Sequence, residues 1–124
     1  MLGVATGQGI DERSLEFSAD VIRFARAICP DPSIRRLIEQ TVAAVGSIAA
    51  NRQEATSASS RREFTRYNEI ALRSAKEAVV WLRLCEKTGV GDRDVCAALL
   101  DEGGQIVRIL AAIVIKTKRR GSDL

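Results

Sequence analysis

Histidine is missing from this chain of 124 residues. Its absence removes the commonest general base and metal ligand. It also excludes a ferritin-like di-metal centre, which needs Glu-x-x-His pairs on facing helices. Cysteine is scarce. Cys29, Cys85 and Cys96 are odd in number, widely spaced and form no Cys-x-x-Cys pair. Neither a zinc site nor a disulfide framework is therefore expected, and free, mostly buried thiols in a reduced cytoplasmic setting are the simplest reading. Aromatic residues make up only 4% of the chain, against 46% hydrophobic residues in all, so the core must be built from Ala, Val, Ile and Leu. No apolar run approaches the roughly 20 residues that cross a bilayer, so no membrane role is expected. Residues 1–10 have neither a basic start nor an apolar centre and do not read as a secretory signal. There is no P-loop, and the Gly7-x-Gly9 pair follows no predicted strand. These absences leave no catalytic residue and no cofactor to propose, and a non-enzymatic protein is expected.

What is present is helical periodicity, broken where a bundle of helices should turn. Pro30 and Pro32 are the only prolines. The first ends a helix over residues 14–29, because the residue before a proline leaves the α region. That helix carries Leu15, Val21, Ile22, Ala25, Ile28 and Cys29 on its expected inner face. Asp31 and Pro32 then start a second helix as cap and first residue, with Ile34, Leu37, Ile38, Thr41, Val45, Ile48 and Ala55 in its stripe. Ser60 and Glu63 fit a capping box, in which the Ser oxygen accepts from the backbone three residues on and the Glu reaches back. They open a third helix that runs to Gly89, a left-handed terminator. Its expected core face is Phe64, Tyr67, Ala71, Ser74, Ala78, Leu82 and Cys85. Asp92 caps a fourth helix with Val95, Leu99, Gly103, Ile106, Val107, Leu110, Ile113 and Val114 inward. Short loops between long helices predict an all-α fold, an antiparallel up-down-up-down four-helix bundle over residues 14–120. Residues 1–13 are expected to be a disordered arm and residues 121–124 a flexible tail.

Along the joint between the second and third helices the chain resembles a bacterial four helix bundle protein family. Its members include proteins encoded in intervening sequences of large-subunit ribosomal RNA genes, with the accessory variability proteins of diversity-generating retroelements as relatives. Ser47, Ile48, Asn51, Glu54, Glu63, Phe64, Ala71, Leu72, Ser74 and Glu77 match its pattern. The match continues through Trp81 to Leu84, Leu99 to Glu102, Ile109-Leu110 and Lys116-Thr117. Ala55 stands where the family usually has Gly, and Arg52 and Gln53 replace a more apolar pair. The resemblance implies a four-helix bundle that assembles as a homopentamer.

Charge supplies the remaining candidates. The net charge is +3, but cations gather in two places. Arg61, Arg62 and Arg66 open the third helix, with Arg73 and Lys76 further along it, while Lys116, Lys118, Arg119 and Arg120 close the fourth. In an antiparallel pair these two clusters should merge into one positive rim able to hold the phosphates of RNA or DNA. Arg83 and Lys87 extend the basic face of the third helix, and Glu69 and Glu86 partly neutralise it. Leu72, Val80, Leu84 and Ile109 fall outside the core stripes and are candidate contacts between copies of the chain. Asn51, Glu54 and Glu77 are expected to be structural, with Glu54 pairing to Arg62 or Arg66 across the turn and Glu77 bonding across helices. Ser74 is read as a small packing residue, and Tyr67 and Trp81 as packing anchors. The function expected is a non-enzymatic, oligomeric RNA- or DNA-binding bundle. The alternative is an adaptor whose surface docks another protein, such as a reverse transcriptase.

Overall fold

A computed structural model describes residues 9–122, with side chains described for 9–120. Among them the chain forms four α-helices: α1 (Ile10–Arg26), α2 (Arg35–Thr56), α3 (Arg61–Thr88) and α4 (Arg93–Ser122). A short 3-10 turn, Pro32–Ile34, leads into α2. Helix α1 packs on α2 and α4, and α3 packs on the same two, so the helices stand in a square in chain order. This is the expected four-helix bundle. The expected arms fall partly outside the described residues, at 1–8 and 123–124.

The terminators work as the local chemistry dictates. The Ser60 hydroxyl accepts from the Glu63 N–H at 3.1 Å. Glu63 reaches back one residue further than the capping box requires, to the Ser59 N–H at 3.2 Å and the Ser59 hydroxyl at 3.3 Å. Gly89 ends α3 at φ 70°, a left-handed turn that a side chain would strain. Asp92 Oδ1 accepts from the Val95 N–H at 2.9 Å and opens α4.

Helix α1 departs from expectation. It starts at Ile10 rather than at residue 14, because Asp11 and Arg13 in its first turn are tied to neighbouring helices. Its inner face is Phe17, Val21 and Phe24, while Leu15 is 58% exposed, and Ile22 and Cys29 also face outward. Helix α4 also shifts slightly: Cys96 is inward and Val95 is outward. The core joins Phe17, Val21, Val45, Ile48, Leu82, Cys85, Leu99, Ile106 and Leu110. Gly103 of α4 is buried against Phe17 of α1. A Cβ there would sit 3.2 Å from the Phe17 ring and 3.1 Å from Val79, whereas one on Gly104 would meet only the far end of Arg108.

Two buried arginines fasten the end of the bundle where α1 begins. Arg13 forms a two-point pair with Glu102 of α4, at 3.0 and 2.7 Å, and also donates to Gln105 at 3.0 Å. Those Glu102 hydrogen bonds raise its pKa and hold it charged. Arg52 donates to Asp11 at 2.9 Å and to the side-chain amide oxygen Oδ1 of buried Asn68 at 2.6 Å, so it links α2 to α1 and α3 together. Asn68 in turn donates to the Phe64 carbonyl at 2.9 Å. Paired in this way, neither guanidinium carries the full cost of leaving water.

Candidate nucleic-acid interface

The antiparallel run of α3 and α4 sets the start of one helix beside the end of the other. A shallow open depression forms there, lined by Arg61, Arg62, Thr65, Arg66 and Glu69 of α3 and by Thr117 and Lys118 of α4. Four of the expected cations thus share one surface. Glu69 forms an ion pair with Lys118 across the depression. Such a surface pair is worth only about 0–1 kcal/mol in water and exchanges readily for another anion. The Thr65 and Thr117 hydroxyls donate to carbonyls of their own helices, at 2.9 Å to Arg61 and 2.6 Å to Ile113. Those threonines were absent from the expected set, although each sits beside or one turn from a basic residue in sequence.

Lys116, Arg119 and Arg120 are exposed on the last turns of α4 but do not line the depression. Arg73 and Lys76 are exposed further along α3, on the same outward face as Arg62 and Arg66. Among the described residues, none of Arg61, Arg62, Arg66, Arg73 and Lys76 is engaged in an ion pair. Their charges are available to external anions.

The candidate interface residues do not share a face. Val80, 54% exposed, stands inside the basic stripe of α3. Leu84 borders a groove between α2 and α3 with Leu37 and Trp81. Leu72 packs partly against the core. Ile109 is half-buried one turn beyond Gln105, on the side of α4 that faces α1.

The polar residues behave differently from one another. The Asn51 amide donates to the Ser47 carbonyl at 2.9 Å and to the Ser47 hydroxyl at 3.2 Å. The Ser47 hydroxyl meets that of Ser74 at 2.7 Å, so Ser74 bonds α2 to α3 besides packing between them. Glu54 is exposed and, among the described residues, makes no ion pair with Arg62 or Arg66. The cross-turn link expected of it belongs instead to Arg52, which reaches inward where Glu54 points out. Among the described residues Glu77 makes no bond across helices either: it accepts from Trp81 Nε1 at 3.3 Å, one turn along its own helix. Cys29 is exposed, contrary to expectation, while Cys85 and Cys96 are buried. Burial in the apolar core pushes the Cys85 thiol up to about 11, with the neighbouring Cys96 adding to the rise.

No group of His, Cys, Asp and Glu among the described residues could hold a metal ion. None of the described helices is long and apolar enough to cross a membrane.

No curated protein matches the chain. A crystal structure from Bacteroides thetaiotaomicron, of a protein of unknown function from the S23 ribosomal protein family, is similar to it. The two share 26% sequence identity and a TM-score of 0.79, over 86% of this chain and 98% of that one. The pattern of the 23S rRNA-intervening sequence proteins matches residues 9–112. With the bundle, the matching joint between α2 and α3 and this span in hand, the chain belongs to the 23S rRNA-intervening sequence protein family.

Proposed function

We propose that this protein is a non-enzymatic, oligomeric nucleic-acid-binding protein that holds the phosphate backbone of RNA or DNA on its positive rim. The observation that carries the reading is the convergence of Arg61, Arg62, Arg66 and Lys118 on one depression from two helices. Arginine and lysine in such an array attract phosphates by charge and do not read base edges, so sequence preference is small. Assembly repeats the rim and multiplies its charge. Exposed Ile115 and half-buried Ile109 of α4 favour contact between copies, and a ring of five is the form the family resemblance implies. A cytoplasmic location goes with the free thiols and the nucleic-acid ligand.

Light scattering coupled to gel filtration is expected to give several times the 13.5 kDa of one chain. Replacing Arg62, Arg66, Lys118 and Arg119 together with Gln should weaken RNA and DNA binding uniformly and flatten its dependence on salt, leaving the oligomer intact. The expected loss of slope is about 0.9 for each duplex phosphate that is no longer neutralised. Wild-type protein that binds neither RNA nor DNA at low salt, or a quadruple variant that binds like wild type, overturns the reading. The apolar groove of Leu37, Trp81 and Leu84 favours a protein-adaptor role in that case, with salt-tolerant binding to one partner.

A further inference from the structure

We propose that the nucleic acid lies along α3 as a double strand, and that Arg83 and Lys87 form the far end of its site. This rests on the phosphate-binding function proposed for the rim and extends it beyond the depression. Arg62, Arg66, Arg73, Lys76, Arg83 and Lys87 recur along α3 at steps of three, four or seven residues, and all are exposed. Such steps hold side chains on one face of a helix, with only about 20° of drift per seven residues. Thr65, Glu69, Val80 and Leu84 share the stripe with them. Glu69 is covered by Lys118, and Val80 is a short side chain that lets a ligand approach. Among the described residues none of the six cations is in an ion pair.

Length decides between ligands. At 1.5 Å per residue the stripe spans about 38 Å, and its two ends, Arg62 with Arg66 and Arg83 with Lys87, are centred about 32 Å apart. One turn of a double helix repeats at about 34 Å. A duplex laid along α3 therefore returns one strand to the protein near each end, and offers its other strand to Arg73 and Lys76 between them. A single strand needs a different surface. It is usually held by aromatic rings that stack on successive bases, and the stripe has none. Phe64, Tyr67 and Trp81 are half-buried away from it, and Trp81 is hydrogen-bonded to Glu77.

Fluorescence anisotropy with the full-length protein tests this. The probes are a labelled duplex of about two turns, or roughly 20 base pairs, one of its strands alone, and a hairpin whose stem covers about half a turn. Each is made as DNA and as RNA. The long duplex is expected to bind at least about tenfold more tightly than the single strand in one or both chemistries, and the arm that shows it names the sugar. Arg83→Gln with Lys87→Gln should weaken the long duplex about tenfold and lower its salt slope by about 1.8, because two phosphates are no longer neutralised. It should leave the short hairpin unchanged, because that probe reaches only one end. Circular dichroism checks that the exposed substitutions leave the helices formed. Equal binding of single strand and duplex, or a double variant that holds the long duplex like wild type, overturns the proposal while the rim function stands. No binding of any probe by the wild type overturns both.

Discussion

The two ends of the bundle are built differently. Around the turn between α3 and α4 the interior is dry: Val21, Phe24, Leu82, Cys85, Cys96 and Leu99 are buried with few polar groups among them. Around the start of α1 the interior holds Arg13, Ser14, Arg52 and Asn68, all buried. Apolar burial is strong but tolerant of sliding, because neighbouring ridges are nearly equivalent. A guanidinium that must meet Glu102, or Asp11 and Asn68 at once, has a single geometry. The dry end thus supplies stability, and the polar end fixes how α1 and α2 sit against α3 and α4. The candidate phosphate-binding depression belongs to the polar end, where the relative position of α3 and α4 matters most.

The sharpest test of this division is at the seam between the two ends. Phe17 is buried and touches the open backbone at Gly103. Phe17→Ala should cost about 3–5 kcal/mol, read from urea unfolding, and a cost under about 1 kcal/mol would mean that α1 adds little to the core. At the polar end, Arg52→Ala should cost about 3 kcal/mol, since it leaves the buried Asn68 oxygen without its donor. Replacing both partners, Arg52→Met with Asn68→Leu, should recover most of that loss while speeding hydrogen exchange along α1. Recovery without faster exchange would show that the pair contributes energy but not register.

The smallest expected effect separates the thiols. Under native conditions a thiol reagent should modify Cys29 at once and reach Cys85 and Cys96 only after unfolding. The raised Cys85 pKa has a definite sign. Below its ordinary value of 9.0 the thiol is neutral, folded or unfolded, and does not couple stability to pH. Above it the unfolded chain loses the proton first, so stability falls as pH climbs from 9.0 towards about 11. Cys85→Ala should remove part of that alkaline loss. An unchanged pH profile in this variant would place the titrating group elsewhere.

Much of this was legible in the residues. Ser60, Gly89 and Asp92 act on neighbours in sequence, so the ends of α3 and the start of α4 can be read locally. The merging of Arg61, Arg62 and Arg66 with Lys118 follows from antiparallel pairing alone. The inner face of α1 was not legible. Leu15, Ile22 and Cys29 recur at sevens, and so do Phe17 and Phe24, with Val21 about 40–60° from the second set and about 80–120° from the first. Periodicity gives two faces and does not say which one meets the bundle. The buried arginines were hidden for another reason. Arg52 is acceptable inside only because Asp11 and Asn68 come to it from distant parts of the chain, and no local pattern announces such a meeting. Glu54, two residues further on, carries the opposite charge and offered the simpler link across the turn.

The glycine pair in α4 divides the helix into what is free to vary and what is not. The two residues are chemically identical and adjacent, yet their neighbours differ completely. At Gly103 the nearest atoms are the Phe17 ring and Val79, and at Gly104 only the tip of Arg108 comes near. Even a methyl at the first must push the Phe17 ring or Val79 back by a few tenths of an ångström, and a larger side chain would pry α1 away from α4 and carry Arg13 and Asp11 with it. A side chain at the second would simply stand in solvent. In a library of random substitutions the first position should therefore admit at most small residues and the second should be nearly silent, so a single glycine sets how closely the shortest helix may lie against the longest.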